Sequence, residues 1–403
     1  MDEGIGSGIG QRLREIRLWR GLSLRAAAGL AGFSASYLSM IENGKSPVDK
    51  RSTLEAFASA LRVAPSELMA TPWGVTDSGG GAHGSVVALE AALDCYELGE
   101  DPGGTVREWS AIATDVERLV DFMHVSADYA AQGEMVPRLL AELHGAYVRL
   151  PGHRQDVLLG LIHCYSSVCW VTKRLGGRGL PLLAARLTQR CAAELDVPQW
   201  RGYATWLRGE AVGQLSRPQH YQRAVRMADD LTPALDSPEV MQAYGMLHLS
   251  AALAAAVQAD RDTAATHLDE AADVAARMEV EVGGFARLWF GATNVGIWRT
   301  SLAVEFGDGS KVAEIAREVH VDIIPSPSRR AEFYSDLGRS MLWERSTAEQ
   351  GLALLLRAER LAPQRVRNDV FVRETVTHLL PRARRDAAGR ELRGLAFRMG
   401  IAG

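Results

Sequence analysis

The chain has 403 residues, 47% of them hydrophobic and 23% charged, and a formal net charge of −4 at neutral pH; that length allows two or three packed domains of about 100 to 200 residues each. Four cysteines, at 95, 164, 169 and 191, show no C-x-x-C spacing, so they imply neither a zinc nor a disulfide framework and read as reduced thiols in helical cores. Charge is unevenly placed: residues 1–75 carry nine Arg or Lys against seven acids, a balance of +2, leaving −6 for the rest, so the amino-terminal head is the part suited to nucleic acid.

GIGSGIG, 4–10, lacks the G-x-G-x-x-G spacing and follows no strand, so it reads as a flexible arm. The first helix runs from Gly10 to Trp19, with Leu13, Ile16 and Arg17 on one buried stripe, and Gly21 ends it. Ser23 caps a second helix, LRAAAGLA, broken by Gly32. Ser34 caps a third, in which Tyr37, Leu38 and Ile41 point inward while Ala35, Ser36, Ser39 and Met40 face out, and Gly44 closes it. A fourth spans about Lys50 to Leu61, and PSELM, 65–69, makes a fifth.

TDSGGGAHGS, 76–85, has the composition of a flexible linker. The chain thus divides into a head, 1–75, the linker, 76–85, and a helical body, 86–403. No strand pattern survives inspection: VHVDII, 319–324, leads from a helix into the stop at Pro325 and Pro327. Apolar-periodic helices recur in pairs, 154–175 with 180–195, 199–214 with 218–231, 238–258 with 261–278, 286–306 with 310–319 and 328–345 with 348–363. A spacing near 40 residues is that of stacked helical pairs, which bury by stacking the apolar face that one pair leaves open. The fold class is therefore all-α: a five-helix bundle joined by a Gly/Ser-rich linker to an α-solenoid.

Apolar stretches such as HLSAALAAAV, 248–257, fall short of the roughly 18 residues that cross a bilayer, and no charged-then-apolar leader opens the chain, so the expected place is the cytoplasm, with no membrane partner. There is no H-E-x-x-H, G-x-S-x-G or P-loop, and the histidines have no ligand spacing. Neither an enzyme, a metal site nor a cofactor is expected. The charge runs RVRNDVFVRE, 365–374, and RARRDAAGRELR, 382–393, read as a solvated outer face and a capping helix.

Two short helices joined by a glycine turn inside a five-helix bundle make a helix-turn-helix. The stretches GLSLRAAAGLAGFSASYLSMIENGKSPV and RSTLEAFASALRVAPSELM resemble the phage-repressor-like, or Xre, DNA-binding family over residues 9–70. That resemblance implies that the third helix enters the major groove, with Ala35, Ser36 and Met40 at base-reading positions and Ser34, Tyr37 and Ser39 beside them. Methyl, thioether and hydroxyl groups give modest direct readout, since none makes a bidentate base contact, and DNA shape and a second subunit must supplement them. Phosphate contacts are expected from the amino terminus of the third helix, from Lys45, Lys50 and Arg51, and from Arg17 or Arg25. Where many members carry a glutamine clamping a phosphate, this chain has Leu24 followed by Arg25.

The body resembles the tetratricopeptide-like sensor domains of long Xre-type regulators, on its helix-pair rhythm and on WFGATNVGIW, 289–298, followed by PSPSRRAEFYSDLGRSMLWERS. Peptide-binding receptors of that architecture use asparagines, and this body has only Asn294 and Asn368, which disfavours a linear peptide. Trp170, Trp200, Trp206, Tyr244, Trp289, Phe290 and Trp298, with His248 and Asn294, are the candidate lining of a concave groove suited to a small, partly apolar effector. The resulting expectation is a homodimeric regulator of a palindromic double-stranded operator, modulated by that effector. Its alternatives are an adaptor that uses the groove for a protein partner and a peptide-responsive regulator.

Overall fold

The computed structural model describes residues 8–69, 80–211, 217–383 and 387–401. Among them the protein is all-α, with no strand, a helix-turn-helix domain leading into a helical solenoid.

The head holds α1 (Ile9–Trp19), α2 (Leu24–Leu30), α3 (Ala35–Glu42), α4 (Arg51–Ala60) and α5 (Pro65–Leu68). Its boundaries follow local chemistry: the Ser23 hydroxyl accepts from the Ala26 N–H and that of Ser34 from the Tyr37 N–H, each at 3.1 Å. Leu13, Ile16, Leu38, Ile41, Val48, Leu54 and Phe57 form its apolar centre. At Gly10 a Cβ would collide with the Ile41 carbonyl, so glycine is what lets α1 approach the end of α3.

The body begins at α6 (Gly80–Cys95). Positions 80–85, expected as linker, therefore belong to a helix that buries Leu89, Ala92 and Leu93 and packs on α8 (Tyr129–Arg149), where the lack of a side chain at Gly133 makes room for Ser85. The remainder of that expected linker lies outside the described residues. α7 (Trp109–Asp121) precedes α8, and the expected pairs follow as α9 (Arg154–Arg174) with α10 (Leu180–Leu195) and α11 (Pro198–Ala211) with α12 (Arg217–Leu231). They continue as α13 (Pro238–Val257) with α14 (Arg261–Ala276), α15 (Ala292–Phe306) with α16 (Lys311–Arg317), and α17 (Pro327–Met341) with α18 (Ala348–Leu361). Three helices close the chain: α19 (Pro363–Arg367), α20 (Val370–Leu379) and α21 (Ala387–Arg398).

α13 is long and apolar enough to cross a membrane by length and composition, although its most apolar window is 89% buried within the protein. It is the helix expected at 238–258, a core helix packed on α11, α12 and α14; the expectation of no membrane-length stretch rested on residues 248–257 alone. Cys164, Cys169 and Cys191 are buried as expected, and burial pushes the Cys169 and Cys191 thiols up to about 12. Cys95 is exposed instead, at the end of α6.

The solenoid meets itself. The Gln364 side chain accepts from the Tyr129 N–H at 2.8 Å and donates to Asp128 at 3.2 Å, the Ser326 hydroxyl donates to the His124 carbonyl at 2.5 Å, and Arg174 pairs with Asp369 at 2.9 Å. The concave side expected as a groove is thus crossed by contacts from α8, α9 and the turn before α8 to the ends of α17, α19 and α20.

Candidate nucleic-acid interface and the cavity beneath it

On α3, Ser36 and Met40 are exposed, as are its cap Ser34, the following Lys45 and, on α2, Arg25; Ala35 and Ser39 are half-buried at the edge of the same face. Tyr37 lies half-buried against the Phe33 ring, with centroids 5.2 Å apart, where it serves the bundle more than the outer surface.

Arg17 cannot reach a phosphate. Its guanidinium forks onto the Glu42 carboxylate at 2.6 and 2.7 Å and donates to the Leu22 carbonyl at 2.9 Å, with both partners almost wholly buried. The pair ties α1 to the carboxy terminus of α3, and its bonds to Glu42 hold the Arg17 pKa above the ordinary guanidinium value. This corrects its expected role: the pair sets the pose of α3.

Lys50 and Arg51 are engaged within the protein in this arrangement, because the loop before α4 is docked on the body. The Glu305 carboxylate accepts from the Arg51 and Ser52 N–H groups at 3.1 and 2.8 Å, capping α4 where a phosphate was expected. The Arg51 guanidinium lies 3.8 Å from Glu305 and over the Phe371 ring, while the Lys50 ammonium rests beside Gly307. Arg339 donates to the Asp49 carbonyl at 3.0 Å, and Glu374 accepts from the Ile9 and Val48 N–H groups at 3.4 Å. Phe371 completes the head's apolar centre, and Arg178 pairs with Glu67 at 2.8 Å. Burial raises the Glu374 carboxyl above its ordinary value, offset in part by those two N–H groups.

Between head and body lies a cavity of about 680 Å³, within the size range of small-molecule sites. Ile9, Arg51, Leu54 and Met69 give the head's side of its wall. Of the nine expected ligand residues, Trp170, Trp206, Trp289, Asn294 and Trp298 line it. The other four are engaged elsewhere. Trp200 packs edge-on against His163, Tyr203 and Phe285; Phe290 is fully buried against Gly245. The Tyr244 hydroxyl donates to Glu270 at 2.7 Å and stacks on His248, whose Nδ1 is 3.0 Å from His267.

The structure adds a charged wall that sequence reading placed in solvent. Arg365, Asp369, Arg373 and Glu374, within the run expected as a solvated face, all line the cavity, together with Arg174, Arg329 and Glu332. Glu332 pairs with Arg329 at 2.6 Å and Arg365 at 2.8 Å; burial would raise its carboxyl, but Arg365, Arg329 and Arg174 hold it well below the usual range. Arg373 donates only to carbonyls, of Arg367 and Met399, and burial lowers its pKa. Arg287 lies over the Trp289 ring with no ion-pair partner among the described residues. Asn294 is committed: its carbonyl accepts from Arg329 at 2.8 and 3.0 Å and its amide donates to the Leu288 carbonyl.

Two backbone irregularities shape this wall. A π-helical turn, Phe122–Ser126, presents Met123 and His124; burial pushes the His124 pKa down to about 3, which keeps the ring neutral. In the loop before α15, Ala286, Arg287 and Trp289 all take left-handed conformations, with φ of 46°, 54° and 54°, a strain of order 1 kcal/mol or more per residue. It starts α15 at Ala292 rather than the expected 286. The indole N–H groups of Trp206, Trp289 and Trp298 are buried without an acceptor, a cost of about 1–3 kcal/mol each.

Residues 9–70 match a family model described as a helix-turn-helix domain. Over 64 residues the chain is 41% identical to the uncharacterized HTH-type transcriptional regulator RghRB of Bacillus subtilis (strain 168), a stretch covering 16% of this chain and 46% of that protein. The chain therefore spans less than half the length of that relative. No solved structure matches it. What these likenesses establish is confined to the amino-terminal bundle: it is a helix-turn-helix domain, and the solenoid behind it has no counterpart in them.

Proposed function

We propose that the chain is a sequence-specific, DNA-binding transcription regulator of the Xre type, with a tetratricopeptide-like body that responds to a small molecule. The observation that carries this reading is α3 itself: capped by Ser34, fixed from behind by Arg17–Glu42, and open to solvent at Ser36 and Met40, with Lys45 exposed just after it. The similarity of that bundle to an HTH-type transcriptional regulator supports it. A homodimer would place two such helices in successive major grooves of a palindrome, about 34 to 36 Å apart; Trp19, 78% exposed at the end of α1, suits a contact between subunits. The head ends before Gly80, and the working place of such a regulator is the cytoplasm.

In the docked arrangement Glu305 holds the α4 amino terminus. Full phosphate contact through Lys50 and Arg51 requires the head to lift from the body, which makes docking the switch. The same contact favours one competing reading, an adaptor whose head has left DNA. A gel shift on the promoter of its own gene, over a salt series, separates them: a salt-sensitive complex weakened by Lys45→Ala supports the regulator, and no complex at any salt supports the adaptor.

A further inference from the structure

We infer that the cavity between head and body is the effector site, and that it takes an organic acid with a flat apolar body. This rests on the reading of the chain as an effector-responsive regulator. An apolar body fits the indole wall of Trp170, Trp206 and Trp298, contributed by α9, α11 and α15. An acid fits the charges along that wall. Arg174, Arg329, Arg365 and Arg51 each face a carboxylate, in pairs with Asp369, Glu332 and Glu305. Arg373 and Arg287 do not: burial lowers the Arg373 pKa, and Arg287 lies over the Trp289 ring. With Glu55, Glu210 and Glu374 counted, seven basic groups line the wall against five acids, and an anion beside Arg373 and Arg287 offsets that excess of two.

On the lining residues the buried polar atoms left without a partner are chiefly N–H donors, Trp206 Nε1, Trp289 Nε1, Trp298 Nε1 and Arg174 Nε, beside the ring nitrogen Nε2 of the neutral His124. A donor-rich wall of this kind favours an acceptor-rich guest over an amine. The strained Ala286–Trp289 backbone holds Arg287 and Trp289 together at this wall, as strain often does around ligand clamps.

Location gives the site its consequence. Ile9, Arg51, Leu54 and Met69 of the head share the wall with body residues, so a guest touches both partners of the docked interface. Whatever it adds to or removes from docking reaches Arg51 and the α4 amino terminus directly, and by reciprocity DNA must change the affinity for the guest by the same factor.

The test is a fluorescence titration of the full chain with 8-anilinonaphthalene-1-sulfonate, an acid on an aromatic body, against N-phenyl-1-naphthylamine, the same body without the acid. Expected is one saturable sulfonate site per chain, abolished by Trp298→Ala and weakened about tenfold by Arg287→Gln and Arg373→Gln, with neutral-probe binding unmoved by the arginine changes. Because Arg287 is exposed and bonds to no other element, its variant keeps the test valid where Arg373→Gln unfolds. Equal affinity for both probes, or sulfonate binding indifferent to both arginines, overturns the acid; no saturable site overturns the cavity as an effector site. DNA binding measured without probe is an independent readout: its presence beside failed probe binding leaves the regulator reading intact, and its absence beside tight probe binding removes the regulator reading alone.

Discussion

Replacing Glu305 by Gln should release the head. In the native protein its carboxylate, 3% exposed, accepts two backbone N–H groups at the positive end of α4 and faces the Arg51 guanidinium. Glutamine keeps one acceptor oxygen but loses the charge: about 1 kcal/mol from trading charge-assisted for neutral hydrogen bonding, and about 1 kcal/mol from the helix end. A loss of about 2 kcal/mol moves the docked-to-lifted equilibrium about 30-fold. If only the lifted head makes its full phosphate set, apparent DNA affinity rises by up to that factor, because it scales with the competent fraction. The slope of log affinity against log salt should steepen by about one for each phosphate regained. Fluorescence anisotropy with promoter DNA measures both, and hydrogen exchange at Ser52 to Leu54 reports the lifting itself. A folded Glu305→Gln variant with native exchange and native DNA affinity would refute the docking switch.

Three further outcomes follow from the same contacts. Arg17→Met leaves Glu42 buried without its partner and should cost about 3 kcal/mol in chemical denaturation, and it should also weaken DNA binding although Arg17 touches no phosphate; native stability would show that the pair is dispensable. Glu374 has a folded pKa raised above its ordinary 4.5, so the folded state holds its proton more tightly than the unfolded chain does. Its contribution is complete below about pH 4.5 and is lost as pH rises through the raised value. Denaturation midpoints should therefore show Glu374→Gln gaining on the native chain as pH climbs, and a pH-independent difference would count against the burial of this carboxyl at the junction with Val48 and Asp49. Trp19→Ala should shift a sedimentation equilibrium toward monomer; an unchanged distribution would move the subunit contact off α1.

The head was legible because its signals are local. Ser23 and Ser34 cap within three residues, Gly21, Gly32 and Gly44 take φ between 66° and 77°, and the inward positions of α3 repeat at helical spacing. Helix pairing in the body was equally readable from periodicity and proline placement. What sequence could not supply was long-range partnership. Arg17 sits on an apolar stripe, a hint of burial, yet only the fold brings Glu42 to it from 25 residues away. Arg51 and Ser52 meet Glu305 across more than 250 residues, and Arg174 meets Asp369 across 195. For that reason the run 365–374, dense in charge, read as a solvated face: nothing local distinguishes an arginine in water from one paired across a cavity. The aromatic candidates divided because a tryptophan on the inner helix of a pair either packs edge-on against its neighbours, as Trp200 does, or lines the cavity, as Trp170 and Trp298 do; helical spacing is the same in both cases.

The most direct measurement is a hydroxyl-radical footprint of the full-length protein on the promoter of its own gene. The account predicts two protected half-sites about 34 to 36 Å apart, with Lys45→Ala weakening protection uniformly and Ser36→Ala altering base preference at one position in each. An unprotected duplex at low salt, or protection that neither substitution changes, would contradict it.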